Sequence, residues 1–142
     1  MNKVIRLDTK QKTSQLAETI ASQVSCGDVL ALSGELGAGK TYFTQCLCRF
    51  LDVTEYVSSP SYILLNEYEG KFPIAHFDLY RLDSLDEVLE TGLPDFIEQR
   101  VTVIEWYEVA REILPENTIY LDFVLTESER IVKLKTIRAL IV

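Results

Sequence analysis

Positive charge is in short supply in this 142-residue chain: 14 lysines and arginines stand against 22 aspartates and glutamates, a formal net charge of −8. A protein that grasps a nucleic-acid backbone unaided presents clustered lysine and arginine. The composition therefore argues against independent RNA or DNA binding, and any role on RNA is expected to run through a partner. Long apolar stretches are missing too. The longest are of strand length, far below the roughly 20 residues that span a bilayer, so no membrane crossing is expected. No Lys/Arg-rich start runs into an apolar segment, so no signal peptide is expected and the cytoplasm is the expected compartment. Cysteine occurs three times, as Cys26, Cys46 and Cys48, and histidine once, as His76. An odd count with two thiols in one helical pattern is no disulfide framework, and tetrahedral zinc wants about four ligands, which this set supplies poorly. All three thiols are expected to be buried and inert.

Apolar residues make up 47% of the chain, enough for a packed core, and the length suits one domain spanning 1–142. "VIRLD" (4–8) reads as a strand. "TSQLAETIASQV" (13–24) carries Leu16, Ala17, Ile20, Ala21 and Val24 at helical spacing, with Thr13 as the expected N-cap and Gly27 at the expected stop. "VLALS" (29–33) is an apolar run. "KTYFTQCLCRFL" (40–51) reads as a helix with Phe43, Leu47 and Phe50 on one side, and "YVSSPSY" as a polar loop around Pro60. The segments 63–70 and 71–82 read as a strand pair turning at Gly70. Two short helices follow, parted near Gly92–Pro94, the first opened by Ser84 and Glu87 at capping-box spacing. "VTVIEW" (101–106) is a strand ending in an acid, and 107–115 is helical up to Pro115. Two last strands are expected over 118–126 and 130–142. Helices interleave with strands early and strands pair locally later. That order predicts a three-layer α/β domain with a mixed parallel/antiparallel central sheet.

Three of the six glycines fall within residues 34–39. Gly34, Glu35, Leu36, Gly37, Ala38, Gly39, Lys40 and Thr41 read "GELGAGKT" and fit G-x-x-x-x-G-K-[ST]. Glycines let the backbone curl so that several N–H groups converge, and the helix opening behind them adds its free N–H groups and positive dipole end. Lys40 can reach phosphate as a point charge, and the Thr41 hydroxyl can ligate Mg²⁺. From average usage the pattern arises by chance in about one such chain in 200. Its position between an apolar strand and a periodic helix tightens the match. The expected architecture is therefore that of a P-loop NTPase.

Such proteins also need an acid at a strand end to hold the metal shell or position water. Glu105 closes "VTVIE", and Asp78 sits in "AHFDLYRL" among apolar neighbours, where an unpaired charge is expensive. The alternative for each is a carboxylate in water or paired with Arg81 or Arg100. Trp106, the one tryptophan, is either a core or groove aromatic or a wall beside a nucleotide or partner. His76 reads as a satisfied structural group, with catalysis as the alternative. "VSSPSY" is either a loop that senses a γ-phosphate or a plain surface loop.

In order and spacing, "GELGAGKT", "VSSPSY" with "LLNEY" after it, "HFDLYRL" and "IEWYE" resemble the TsaE family, over about Val4 to Arg130. "HFDLYRL" followed by "IEW" is the more specific part. Against the usual family pattern Glu35 replaces an Asp, Tyr42 a Thr, Ser61 a Thr and Tyr107 a Pro, and none of these removes a group the chemistry needs. The resemblance implies a bacterial ATPase required for N6-threonylcarbamoyladenosine beside the anticodon of tRNAs that read codons starting with A. Such proteins bind the TsaD–TsaB heterodimer, and ATP hydrolysis resets that pair between turnovers. By resemblance, Lys40 and Thr41 bind phosphate and Mg²⁺, Glu105 completes the metal site, Asp78 assists catalysis, and Trp106 lies near the nucleotide or the partner. Adenine is expected as the base, and no guanine-reading N-K-x-D stretch is present. Intrinsic activity is expected to be low, since no arginine finger in cis stands out among Arg81, Arg100 and Arg130. A small-molecule kinase is disfavoured, because a strand pair follows the P-loop helix where a lid and acceptor pocket would be needed. A nucleotide-holding platform without turnover is the other alternative.

Overall fold

The apolar runs leading into the glycine-rich stretch and into Glu105 become neighbouring strands. The computed structural model describes residues 1–142. Strand β1 (Asn2–Arg6) and helix α1 (Lys10–Ala21) lead to β2 (Val29–Ser33) and α2 (Lys40–Phe50). The hairpin β3 (Leu65–Glu69) and β4 (Pro73–Asp78) comes next, then α3 (Leu85–Glu90), α4 (Leu93–Gln99) and β5 (Val101–Glu105). A 3₁₀ helix (Tyr107–Ile113) precedes β6 (Ile119–Leu125) and β7 (Arg130–Lys135).

All seven strands form one sheet in the order β1-β7-β6-β2-β5-β4-β3. The four central strands β6, β2, β5 and β4 are parallel, and the flanking pairs are antiparallel. This is the mixed sheet expected from the sequence. Every residue of β5 and four of five in β2 are buried, as strands covered on both faces must be. Alternation then assigns the faces: Leu30, Leu32, Val101 and Val103 pack with α1 and α2 residues, and Val29, Ala31, Ile104 and Phe77 with α3, α4 and the 3₁₀ helix. The result is three layers.

Local departures from expectation have local causes. Helix α1 starts earlier, because Thr9, with an extended backbone, caps it by accepting from Lys12 N at 3.2 Å; Thr13 is buried inside the helix instead. Strand β1 covers residues 2–6, not 4–8. Strand β4 stops at Asp78, short of Leu82, where the chain turns. The segment 107–115 is helical but of the tighter 3₁₀ kind. Strand β7 ends at Lys135, which pairs with Asn2 on one side and Tyr120 on the other; Thr136 still donates to Met1 O at 3.1 Å and accepts from Met1 N at 2.6 Å, and the chain then leaves the sheet. Residues 136–142 therefore form no strand. The tail is tied to Gln23, whose side chain accepts from Ile141 N at 2.8 Å and donates to Ile141 O at 2.7 Å. Cys46 and Cys48 are buried as expected, but Cys26 is exposed in the turn before β2. Burial pushes the Cys48 thiol up to about 12. No helix is long and apolar enough to cross a membrane.

Candidate functional site

Strand β2 delivers the glycine-rich loop at the carboxyl end of the parallel sheet, between β5 and β6. Gly34 takes a φ of +136°, and a Cβ there would lie 2.5 Å from the carbonyl oxygen of Phe123. Only glycine fits so close to β6 in that conformation. Gly39, also at positive φ, is the N-cap residue of α2, and no side chain caps the helix. The first-turn N–H groups thus keep their capacity to bind an anion, reinforced by the dipole. Between these glycines Ala38 is buried, and Leu36 stands 99% exposed.

Lys40 opens α2 and folds back over the loop. Its Nζ donates to the carbonyl of Gly34 at 2.6 Å, lies 3.8 Å from Glu105 Oε1, and sits 5.0 Å above the centre of the Trp106 ring. Lys40 and Glu105 are both buried, so each charge is compensated by the other inside the fold. The second carboxylate oxygen, Glu105 Oε2, is 2.7 Å from His76 Nε2. A carboxylate only accepts, so the imidazole donates. His76 is wholly buried, and its Nδ1 has no hydrogen-bond partner. Neither Arg81 nor Arg100 pairs with Glu105: Arg100 binds Glu67 at 3.2 Å and stacks on Phe96.

Asp78 is the register neighbour of Glu105 across β4 and β5. Its Oδ1 accepts from Tyr80 N at 2.9 Å and its Oδ2 from the Ser61 hydroxyl at 3.1 Å. Ser61 is in turn 2.7 Å from Ser59 Oγ, so the "VSSPSY" loop is tied to the strand-end acid. Beyond Glu105 the chain bends sharply: Trp106 has a φ of +56°, unusual for a bulky residue and a mark of a position held by its surroundings. Its indole stacks on Tyr80 at 5.0 Å.

Lys40, Glu105, Asp78, Ser59, Ser61 and Trp106 line one cleft of about 760 Å³. Of the residues singled out from sequence, Leu36, Gly37, Gly39, Lys40, Thr41, Asp78, Glu105 and Trp106 form its wall, with Arg81 and Arg130. Gly34 lies behind them as the acceptor for Lys40, and Glu35 and Ala38 are off the wall. Arg81 rests over Tyr62 at 5.0 Å. Ser59, Ser61 and Tyr62, from the loop read as a γ-phosphate sensor or plain surface, also face the cleft, as do Tyr42 and Tyr80, to which the sequence assigns no role there. One signal was available for His76: in an extended strand alternate residues share a side, so His76 falls on the side of Asp78, whereas Tyr80 lies in the turn beyond β4. No three His, Cys, Asp or Glu side chains are grouped to hold a metal by themselves. The donors at hand, the Thr41 hydroxyl and the Asp78 and Glu105 carboxylates, are hard oxygens. Such a set suits magnesium shared with phosphate and water, and zinc or copper poorly.

Comparison with known proteins adds a lineage to this geometry. A family model described as "Threonylcarbamoyl adenosine biosynthesis protein TsaE" matches residues 7–132. The Bacillus subtilis protein named tRNA threonylcarbamoyladenosine biosynthesis protein TsaE is 37% identical over 111 residues, covering 77% of this chain and 69% of that one. Its namesake in Rickettsia felis is 33% identical over 133 residues, covering 92% and 78%. The crystal structure of YdiB from Bacillus subtilis matches the fold with a TM-score of 0.77 at 30% identity, over 97% of this chain and 87% of that one. The matched stretch contains the phosphate-type loop, both strand-end acids and Trp106, and on that breadth of sequence and shared fold this chain belongs to the TsaE family.

Proposed function

We propose that this protein is a magnesium-dependent ATPase of low intrinsic activity that serves the making of N6-threonylcarbamoyladenosine in tRNAs reading codons that begin with A. It acts in the cytoplasm, as one domain over residues 1–142, on the TsaD–TsaB heterodimer, and meets tRNA only through that complex. The observation that carries the ATP-binding reading is the convergence of the Lys40 ammonium, the uncapped start of α2 and the Glu105 and Asp78 carboxylates on one cleft. Backbone N–H groups of residues 34–41 cradle the phosphates, and Lys40 exchanges the Gly34 carbonyl for a phosphate oxygen. Thr41 and Glu105 hold Mg²⁺. The metal would supply positive charge there to offset that of the phosphates. Asp78, both oxygens already oriented by Ser61 and Tyr80, assists by orienting the attacking water. Trp106 walls the nucleotide.

Two features support a protein partner over RNA. The net charge of −8 repels a phosphate backbone. The mouth of the cleft carries exposed apolar and aromatic side chains, with Leu36 at 99%, Tyr62 at 84% and Tyr80 at 64% exposure, of the kind found at the centre of protein interfaces. The family relatives named for tRNA threonylcarbamoyladenosine biosynthesis supply the pathway.

The test is an ATPase assay with Mg²⁺, with and without purified TsaD–TsaB, on the wild type and on Lys40→Ala. Turnover that is weak alone, rises with the heterodimer and disappears in the variant is the expected result. Fast turnover indifferent to the heterodimer would mean a free-standing enzyme.

A further inference from the structure

We infer that His76 is the positioning residue of this site: it holds one oxygen of Glu105 so that the other points into the cleft. The inference rests on the proposed nucleotide and magnesium site and goes beyond it, because it assigns the orientation of Glu105 to a residue outside the cleft wall.

Three observations carry it. The Nε2–H···Oε2 contact of 2.7 Å is between a wholly buried imidazole and a carboxylate only 3% exposed, where a hydrogen bond to a charge is strongest. It leaves Oε1 as the oxygen facing Lys40 at 3.8 Å. The imidazole has no second partner, since Nδ1 is buried and unbonded. An orphaned ring nitrogen is a cost to folding. Ile74 and Phe77 beside it show that this strand can fill its core positions with apolar side chains. A ring present only to fill space would be better replaced by such a residue. The one bond His76 does make is to Glu105, and that bond accounts for an imidazole at this position.

The backbone explains how the hold is rigid. His76 and Asp78 are two residues apart on β4, on one side of the strand. The register pairs His76 with Val103 and Asp78 with Glu105. The ring thus reaches diagonally from one strand to the next across the parallel pair. With both strands central in the sheet, neither end of the bond has room to drift.

The experiment is a calorimetric titration of the full chain with a slowly hydrolysed ATP analogue, with Mg²⁺ and with a chelator. The variants are His76→Leu, His76→Gln, Glu105→Gln and the His76→Leu/Glu105→Gln pair. The expected result is that His76→Leu loses about tenfold of the affinity gained on adding Mg²⁺, the size typical when an outer partner of a metal ligand is removed. Its metal-free affinity stays within about twofold of the wild type, because the phosphate loop is untouched. His76→Gln, whose amide nitrogen can stand in for Nε2, recovers most of the gain. In the Glu105→Gln background, His76→Leu costs no more than about twofold further. Equal losses with and without metal, or the same loss in both backgrounds, would reduce His76 to a structural residue and overturn the inference. So would full retention of the gain in His76→Leu. If His76→Leu does not fold in a thermal melt, His76→Asn, too short to reach Glu105, replaces it.

A second measurement needs no nucleotide. His76 is the only histidine, so a long-range ¹H–¹⁵N spectrum shows one ring. A proton on Nε2 and a bare Nδ1, with the Nε2 signals displaced in Glu105→Gln, is expected. The opposite tautomer, or signals indifferent to Glu105→Gln, overturns the inference even if the wild type binds no ATP. Failure of the wild type to bind nucleotide, with the ring signals as expected, overturns instead the proposed function.

Discussion

Lys40 Nζ lies 3.8 Å from Glu105 Oε1, with both side chains more than nine-tenths buried. The pair joins the first residue of α2 to the last residue of β5, and so joins the phosphate-type loop to the strand-end acid. On the proposed reading these are the two charges that phosphate and magnesium respectively claim. Phosphate arriving at Lys40 draws the ammonium from Glu105 and leaves a carboxylate oxygen facing the cleft. Phosphate binding and metal binding then reinforce one another through one side-chain contact.

Replacing Lys40 by Met separates the two roles of the ammonium. Nucleotide affinity is expected to fall by about tenfold to a hundredfold, the worth of a charge-assisted contact. Stability is expected to drop by roughly 1–3 kcal/mol, because Glu105 stays buried with only His76 for company. Urea unfolding reads the second effect, and adding Glu105→Gln restores part of it. A Lys40→Met protein as stable as the wild type would show that the pair contributes nothing to folding.

Two glycines of one loop should respond differently to a methyl group. Gly34→Ala places a Cβ 2.5 Å from the Phe123 carbonyl at a φ of +136°, and strain plus overlap is expected to cost about 2–5 kcal/mol and to abolish nucleotide binding. Gly37 has a φ of +84° and nothing within 4 Å. Gly37→Ala should therefore cost only the left-handed conformation, about 1–2 kcal/mol. Equal midpoints for the two variants in urea would contradict this.

The parts of the site legible in the sequence were those carried by short-range pattern. "VLALS" and "VTVIE" are apolar runs that only a doubly covered strand explains, and "GELGAGKT" places its lysine at a helix start. What stayed hidden depends on pairing between distant segments. The alternation of β4 puts His76 and Asp78 on one side, but only the β4–β5 register sets His76 against a glutamate 29 residues away. Nothing local signals that Trp106 takes a left-handed backbone, since that bend is imposed by its surroundings in the fold. Thr9 and Thr13 offer equal capping chemistry four residues apart, and the choice between them falls to the burial of Thr13 against the core.

Thiol chemistry tests the burial pattern independently of function. In the native protein at pH 8, a disulfide reagent should modify Cys26 alone and reach all three thiols only after denaturation. Burial raises Cys48 from 9.0 to about 12, and Tyr68 and Tyr107 are also raised, chiefly by burial. A raised folded-state value means that the native protein keeps a proton the unfolded chain gives up. The stabilisation is complete below pH 9 and is lost as pH climbs toward 12. Melting temperature should decline over that range, and less steeply in Cys48→Ala. A slope unchanged by the substitution would mean that Cys48 ionises alike in both states.

Trp106 provides a reporter inside the cleft, because it is the only tryptophan and its ring touches both the Lys40 ammonium and Tyr80 at 5.0 Å. Adding ATP and Mg²⁺ should change its emission as Lys40 leaves the ring for phosphate. Lys40→Met removes the cation, so its resting emission should differ from that of the wild type. Trp106→Phe should lose the signal yet weaken affinity by no more than about tenfold, in keeping with the modest worth of one cation–π contact. Trp106→Ala should weaken it further, since the stacked partner of Tyr80 goes as well. If calorimetry records binding while the emission stays constant, the nucleotide lies away from Trp106. The exposed pair Trp106–Tyr80 would then belong to the docking surface for the protein partner, not to the nucleotide wall.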